Sequence, residues 1–241
     1  MKPFLHEDEF DMGPVFGGCN TVAYEPGELI CDVLTTRDQV FLVKKGLVRN
    51  SLLSPEGAER LMFYARSGWL IGDTMCFGRQ DDLPLGVRAV AVTRCEVSRM
   101  SQRDFRRHCT TNADLAFALL RRASSKISCL IDQLEYATFR DTPSQVAALL
   151  HALWLETGGV AIGVDGANLL RVTHEMIAAT TGRTRVSVTY ALNRLQQLKL
   201  VELHRGRVVI VDGHALADFA ERSTETGRHK RPEGHLALVG T

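Results

Sequence analysis

The sequence predicts an α+β protein in three parts: a β-rich N-terminal half, one long central helix, and a small C-terminal domain of helices and a β-hairpin. Three observations predict this architecture. Turn signals recur between strand-length apolar segments, apolar residues then recur at heptad spacing, and a small residue, a glycine and a valine follow at the spacing of two helices joined by a short turn. The expected boundaries are 1–112, 113–139 and 140–221, followed by a flexible tail over 222–241.

Composition and charge limit the class of protein. The chain has 241 residues, of which 45% are hydrophobic and 24% charged, as in an ordinary globular protein. Residues 1–60 carry 6 basic and 10 acidic side chains, whereas residues 182–207 carry 6 basic side chains and a single acidic one. This segregation indicates a polyanionic partner for the C-terminal domain. The longest apolar stretch, residues 146–155, is about half of a membrane span, so we expect a cytoplasmic protein without a membrane partner.

The N-terminal half carries regularly spaced turn signals. Gly46, Gly57 and Gly68 follow one another at intervals of 11 residues, and each stands in a polar turn sequence. The apolar segments between these turns have the length of strands. Short strands at this spacing predict an all-β sandwich or barrel, with a further loop at residues 81–84.

The central segment changes to a helical period. Its apolar residues recur at alternating intervals of three and four and form a seam of Ala113, Ala116, Leu120, Ala123, Ile127, Leu130, Leu134 and Ala137. A heptad seam of this length buries itself against an identical helix, which predicts a homodimer. The alternative is an amphipathic helix packed on its own β domain, because alanines thin the seam and Leu119 and Ile131 lie off it. Pro143 then marks the start of the next helix.

The C-terminal domain contains the most informative motif. Counting His174 as position 1, Ala178, Gly182 and Val188 occupy positions 5, 9 and 15. Two helices that cross steeply over a short turn need a small side chain at the crossing and a glycine in the turn, so this spacing predicts a helix-turn-helix. The hairpin that follows, residues 200–211, carries arginines at its tip and predicts a wing.

The outward face of the second helix of this motif predicts contact with double-stranded DNA. The N-terminal end of such a helix enters the major groove, where Arg185 reaches a guanine or a phosphate and Asn193 is a weaker candidate for a base edge. The surrounding arginines and hydroxyls are expected to hold the DNA backbone, which sets register rather than sequence. The predicted contact residues are Arg183, Thr184, Arg185, Val186, Ser187, Thr189, Tyr190, Asn193, Arg205 and Arg207. The alternative is a solvated basic helix face.

These motifs resemble those of the Crp/Fnr transcription regulators. The resemblance rests on residues 172–178 (VTHEMIA), 182–188 (GRTRVSV), 191–195 (ALNRL) and 205–212 (RGRVVIVD), and the order of the three parts agrees along nearly the whole chain. It implies a cyclic-nucleotide-binding-like β-roll (a jelly roll), a dimerisation helix, and a winged helix-turn-helix on an inverted-repeat operator, with RNA polymerase as a further partner. Family members usually carry glutamate at the position of Val186 and arginine at that of Tyr190. We therefore expect an operator unlike the family's best-known half-sites.

The resemblance also implies that a small-molecule effector binds between the β-roll and the long helix. In the cyclic-AMP branch, a Gly-Glu pair and an Arg-Ser pair hold the ribose and the phosphate. Here Gly72-Asp73 loosely matches the first pair, whereas Leu85-Gly86 stands at the second. Without that arginine a cyclic phosphate lacks its charged partner, although Arg88 is close in sequence. Cyclic nucleotide stays open as a less favoured effector.

No cofactor or metal is expected, with haem as the open alternative. Cys19 and Cys31 do not form the cysteine cluster of an iron–sulfur sensor, and Cys76 stands in the region of a haem ligand without a histidine close behind it. No cysteine pair has the C-x-x-C spacing, which argues against a structural zinc site. Cys19, which follows two glycines in an irregular segment, is the candidate for a redox-active thiol.

An aromatic-lined site is the favoured prediction for the sensor. Residues 59–65 and 68–72 look most like the branch of the family that controls reductive dehalogenases and senses halogenated aromatics. A phenolate or carboxylate needs a cation, which Lys126 on the flank of the seam can supply. The predicted effector residues are Phe63, Tyr64, Trp69, Gly72, Asp73 and Lys126, with Phe77 beside them. The alternative is that these aromatic side chains are only core and that Lys126 is exposed.

An enzyme is not expected. β-rolls resemble metal-binding cupin barrels, but those need clustered histidines, and His108 stands alone between His6 and His151. Glycine-rich nucleotide-binding motifs and the H-E-x-x-H zinc helix do not occur in the sequence. The remaining alternative from another class is a cyclic-nucleotide-binding module that acts on a protein partner rather than on DNA.

Overall fold

The computed structural model describes residues 4–5, 10–32, 36, 38–55, 57, 59–77, 86–156, 169–170 and 172–222. Leu85, the loop expected at 81–84 and the tail beyond residue 222 lie outside the described residues. The strands are β1 (Thr21–Tyr24), β2 (Leu29–Asp32), β3 (Gln39–Lys45), β4 (Val48–Leu53), β5 (Glu59–Ala65), β6 (Leu70–Ile71), β7 (Val87–Ala91), β8 (Cys95–Ser101), β9 (Leu169–Leu170), β10 (Val201–His204) and β11 (Arg207–Ile210). The α-helices are α1 (Gln102–Thr111), α2 (Ala113–Phe139), α3 (Thr142–Glu156), α4 (His174–Thr181), α5 (Arg185–Gln197) and α6 (Gly213–Arg222).

The first eight strands form two antiparallel sheets that enclose one core. One sheet has the strand order β1-β8-β3-β6 and the other β2-β7-β4-β5. Val43 and Val97 from the first sheet and Val48 and Phe63 from the second belong to the same buried cluster. Burying both inner faces against each other is the physical basis of a β sandwich or roll. The predicted β-roll is confirmed.

The three evenly spaced glycines stand in turns of this roll. Gly46, Gly57 and Gly68 have φ angles of 97°, 86° and 83°, in the region that favours glycine. Gly46 has a second reason, because a Cβ there would lie 2.5 Å from the carbonyl oxygen of Arg94. The glycine spacing seen in the sequence therefore marks where the chain reverses.

The long helix α2 has one face buried against the β-roll and one exposed apolar face. Asn112 caps its N-terminus by accepting a hydrogen bond from the Leu115 backbone N–H at 3.0 Å. One face packs on the β-roll and buries Leu115, Ala118, Leu119, Arg122, Lys126, Cys129 and Gln133. The opposite face carries the predicted seam, of which Leu120, Ile127 and Leu134 are 64%, 57% and 65% exposed. The alternative that α2 packs on its own β domain is thus correct for one face of the helix. The predicted seam lies on the other face.

The C-terminal domain has its own core. Helices α3 to α6 and the small sheet β10-β11-β9 bury one cluster that includes Leu149, Ile177, Leu192 and Ile210. The sequence patterns do not predict α6, whose buried residues Leu216 and Ala220 stand four positions apart. A stripe of two residues is too short to distinguish a helix from a loop by period alone.

The C-terminal domain also packs against strand β5 of the roll. The hydroxyl of Tyr64 hydrogen-bonds with Thr180 of α4, and Arg66 forms an ion pair with Glu156 of α3. Gly182, in the turn after α4, faces Arg60 so closely that a Cβ would lie 2.8 Å from the guanidinium Nη1. The helix-turn-helix therefore contacts the β-roll directly.

Candidate DNA-binding surface and effector site

The helix-turn-helix has the geometry that its spacing predicts. Gly182 adopts the left-handed conformation, with φ of 65°, and its N–H donates to the Ala178 carbonyl to end α4. Thr184 caps α5 by accepting a hydrogen bond from the Ser187 N–H at 3.1 Å. Ala178 and Val188 are buried where the two helices cross. The prediction of a helix-turn-helix is confirmed.

The outward face of α5 is open to solvent at its N-terminal end. Arg185 and Asn193 are exposed, and Val186 and Tyr190 are 80% and 67% exposed. Large apolar side chains that stand this far into water on a basic surface are available for contact with base edges and thymine methyl groups. These four predicted residues lie together on one surface.

Thr189 lies on the same helix, but its hydroxyl group is hydrogen-bonded to other residues of the helix-turn-helix. Its hydroxyl donates to the Arg185 carbonyl at 2.9 Å, and His174 Nδ1 lies 2.8 Å from the same oxygen. Because the hydroxyl proton is used, His174 Nδ1 is the donor in the second hydrogen bond. His174 is therefore a positioning residue at the start of α4. Its signal in the sequence is its place at position 1 of the motif.

Arg183 is placed differently from the expectation. It is half-buried, and its guanidinium donates from Nε to Gln145 Oε1 at 3.1 Å and from Nη2 to the Ala137 carbonyl at 3.2 Å. These bonds join the helix-turn-helix to the end of α2 and the start of α3. The Arg183 side chain is thus hydrogen-bonded at the junction of α2 and α3 and does not extend from the outward surface.

The wing completes a basic groove beside α5. Strands β10 and β11 pair with His204 opposite Arg207, so the turn consists of Arg205 and Gly206, whose φ is 71°. Both arginines are exposed. A groove of about 480 Å³ runs between this hairpin and Arg185. Arginine side chains therefore lie on both sides of this groove, where their guanidinium groups can bind phosphates of a nucleic-acid backbone.

Part of the predicted effector site comes together beneath α2. Lys126 is 6% exposed and forms an ion pair with Asp73, which is 4% exposed. The Lys126 ammonium also donates to the Leu70 carbonyl at 3.4 Å and lies 5.7 Å from the centre of the Phe63 ring. Lys126 is thus buried against the roll, and the alternative that it is exposed is wrong.

Trp69 lies beside this cluster under a buried arginine. The Arg122 guanidinium is 5.1 Å from the Trp69 ring and donates from Nη1 to the Gly68 carbonyl at 2.6 Å. Arg122 is not among the residues predicted for this site from the sequence. Its signal is its spacing, because it stands four residues before Lys126 and so shares the same helix face.

Tyr64, Gly72 and Phe77 do not line this interior. Tyr64 stacks on Phe4 with ring centres 5.0 Å apart and contacts α4, on the outer face of the sheet. Neighbouring residues of a strand point to opposite faces, so Phe63 and Tyr64 cannot both face the interior. Gly72 has φ of 79° and serves a tight turn, while Phe77 is 59% exposed. The predicted pocket therefore shrinks to Phe63, Trp69, Asp73 and Lys126.

The buried cysteines have the chemistry of apolar side chains. Burial raises the pKa of the Cys31 and Cys76 thiols to about 12. Such thiols stay protonated at neutral pH, whereas a haem ligand or a redox-active group needs the thiolate. Cys19 is half-buried and stays the redox candidate. Within the part of the chain that the structure describes, no group of three or more His, Cys, Asp or Glu side chains is placed to hold a metal ion.

Two family models match the chain in the order of its domains. Residues 21–112 match the cyclic nucleotide-binding domain, and residues 144–219 match the Crp-like helix-turn-helix domain. The chain belongs to the Crp/Fnr family of transcription regulators. The match of residues 144–219 to a Crp-like helix-turn-helix domain indicates DNA binding by the C-terminal domain. Among the described helices, none has both the length and the apolar character needed to cross a membrane.

Similar proteins of this family are regulators rather than enzymes. The global nitrogen regulator of Synechococcus elongatus is 26% identical over 80% of this chain and 86% of its own. The cAMP-activated global transcriptional regulator CRP of Salmonella typhimurium is 24% identical over 73% of this chain and 81% of its own. The solved structure of CLP, a c-di-GMP responsive global regulator of Xanthomonas campestris, has a TM-score of 0.72 at 18% identity and covers 82% of this chain and 96% of that one. The names of these proteins refer to different signals, and so membership of the Crp/Fnr family does not by itself single out an effector.

Proposed function

We propose that this Crp/Fnr regulator is a cytoplasmic homodimer that binds an inverted-repeat operator and recruits RNA polymerase under the control of a small aromatic effector. The observation that carries the proposal is the division of α2 into a buried face and an exposed apolar face. The buried face carries Lys126 and covers the roll core, and the other leaves Leu120, Ile127 and Leu134 in water. A helix in this position contacts both the effector site and a second protomer.

The proposed mechanism is a shift between two states of the dimer. An effector that enters beneath α2 moves the face that holds Lys126, and with it the seam on the opposite side of the same helix. Arg140, at the end of α2, donates to the Glu221 carbonyl at 2.6 Å, so the helix is also coupled to the C-terminal domain. The ligand can shift this equilibrium only by its different affinity for the two states. In the DNA-binding state the two α5 helices stand about 34 Å apart, one turn of DNA.

An aromatic effector is supported by the side chains of the site and by the resemblance of residues 59–72 to the dehalogenase-regulator branch. Phe63 and Trp69 supply apolar rings, and Lys126 supplies a cation. Arg88 does not reach this interior, because its neighbour Ala89 belongs to the roll core and the two alternate along β7. Gly86, at the second phosphate-binding pair, offers no side chain to a phosphate.

In vitro selection from a random DNA pool tests the proposal with the full-length chain. We expect an inverted repeat whose half-site centres are about 10 base pairs apart, and sedimentation of two protomers with one duplex. Selection of single, unpaired half-sites by a monomer would contradict the dimer. Recovery of no sequence above background, both without ligand and with an aromatic effector added, would contradict specific DNA binding.

A further inference from the structure

Asn50 is a buried amide on the inner face of the β-roll. It lies in the middle of β4, opposite Phe63 of β5 and Ala89 of β7. Residues directly opposite in antiparallel strands point to the same face, and both partners belong to the roll core. The side chain of Asn50 therefore points into the roll, where it is 3% exposed.

The amide nitrogen of Asn50 has no hydrogen-bond partner among the described residues. A buried donor left in this state destabilises the folded protein, so native structures rarely keep one. Leucine has nearly the same shape and would serve the core better. Packing of the unliganded protein gives no reason for an asparagine here.

A cationic donor also lies near the ring of Phe63, the residue opposite Asn50. Lys126 Nζ is 5.7 Å from the centre of the Phe63 ring, and Asp73 and Leu70 accept two of its three N–H bonds. Alanines occupy the inner-face positions next to Asn50 on both neighbouring strands: Ala65, Ala89 and Ala91. The unpaired donor is therefore flanked by small side chains on both neighbouring strands.

We infer that Asn50 is a specificity-determining residue of the effector site and that the site takes an aromatic carboxylate. The ligand ring packs on Phe63, one carboxylate oxygen accepts from Asn50 Nδ2, and the Lys126 ammonium, which also contacts Asp73, attracts the carboxylate. An ionised acceptor forms a stronger hydrogen bond than a neutral one and best compensates a donor held in an apolar core. This inference rests on the proposed effector site between the roll and α2.

Benzoate is the probe for this inference. In the full-length protein, we follow the fluorescence of Trp69, with Trp154→Phe as the background, and expect saturable binding. Asn50→Leu should weaken benzoate about tenfold or more, the loss expected for a hydrogen bond to a charged group. Asn50→Asp should weaken it further, because two carboxylates then face each other. Ser51→Ala, the next residue on the outer face, should leave the affinity unchanged.

Thermal unfolding without ligand separates this role from a structural one. Asn50→Leu removes the unpaired donor and should keep or raise the melting temperature. A lowered melting temperature would show that Asn50 stabilises the fold and would overturn the inference. If leucine overpacks the site and the chain does not fold, Asn50→Ala provides the same affinity test.

The binding outcomes distinguish this inference from the proposed function. Equal benzoate affinity in wild-type protein and Asn50→Leu would overturn the role of Asn50 and leave the effector site in place. Absence of benzoate binding, or cyclic AMP binding that displaces benzoate, would overturn the ligand class. Operator selection is measured separately, without benzoate and with it, and reports on the DNA-binding function.

Discussion

Lys126 of the long helix and Asp73 of the β-roll form a buried ion pair at the junction of the two elements. The pair joins α2 to the turn that follows β6 and stands at the proposed effector site. Charges removed from water in this way are stable only as a pair. The same contact therefore stabilises the unliganded protein and lies where we propose that the effector binds.

Removing one partner of this pair should destabilise the protein. Lys126→Met leaves Asp73 buried without its cation, and we expect the free energy of unfolding to fall by about 3–5 kcal/mol. The double variant Lys126→Met with Asp73→Asn should recover most of this loss, because no charge is left unpaired. Urea denaturation of both variants measures the difference. Equal stability of the single and the double variant would mean that the pair is not buried in solution.

Arg185 is expected to contribute sequence preference. Arg185→Ala should cost about 1–3 kcal/mol on the preferred operator and relax the choice of base at one position of each half-site, because a bidentate contact to guanine is lost. Binding to a library of operator variants, followed by fluorescence anisotropy, checks this outcome.

Arg205→Ala, at the tip of the wing, is the matched control. It should weaken all sequences about equally and lower the salt dependence by about one phosphate contact per protomer. An unaltered base preference in Arg185→Ala would remove this residue from the base-reading surface.

The exposed seam of α2 predicts the oligomeric state. Ile127→Glu should weaken dimerisation at least about 100-fold, because a dimer would then bury two unpaired carboxylates. The monomer should stay folded, since Ile127 is 57% exposed in the single chain. Analytical ultracentrifugation together with circular dichroism measures both properties. Ser128→Glu, one position beyond the seam, should remain dimeric, and a dimeric Ile127→Glu would place the interface elsewhere.

The stability of the C-terminal domain should depend on His151. Burial first, and then the neighbouring His214, lower the pKa of His151 below its usual 6.5. Between pH 6.5 and the lowered pKa, the His151 imidazole is protonated in the unfolded chain but neutral in the folded domain. The free energy of unfolding therefore decreases as the pH falls from 6.5 through the lowered pKa. His151→Gln should flatten this part of the pH profile in thermal unfolding. A profile identical to that of the wild-type protein would exclude His151 as its source.

The cysteines should divide into two classes of reactivity. Because burial raises the pKa of Cys31 and Cys76 to about 12, both thiols should resist iodoacetamide at neutral pH in the folded protein. The half-buried Cys19 and Cys109 should be modified first. Peptide mass spectrometry after timed alkylation gives the order, and denaturation in urea should abolish it. Early labelling of Cys76 would show that its thiolate is accessible and would make it a candidate haem ligand or redox-active group.

Local and periodic features of this protein could be predicted from the sequence. The helix-turn-helix depends on Ala178, Gly182 and Val188, whose roles follow from spacing along one short stretch. Turn glycines such as Gly46 are likewise local, because the backbone conformation of a reversal selects them. The seam of α2 is a repeat, and a repeat is visible in the order of residues alone.

Contacts between distant segments were decided only by the tertiary structure. Arg183 looks like a DNA contact in the motif, yet packing turns it to Gln145 and Ala137. Phe63 and Tyr64 are neighbours on one strand and point to opposite faces of the sheet. The sequence predicts this alternation, but only the tertiary structure shows which of the two faces the interior.

Asn50 shows most clearly what tertiary structure adds. Its burial and its unpaired amide depend on Phe63 and Ala89, which lie far along the chain and reach it only through sheet pairing. Spacing along the chain dictates which residues share a helix face or a turn, because backbone geometry is periodic. Which side chains of separate elements meet depends on how whole faces bury their apolar area against each other.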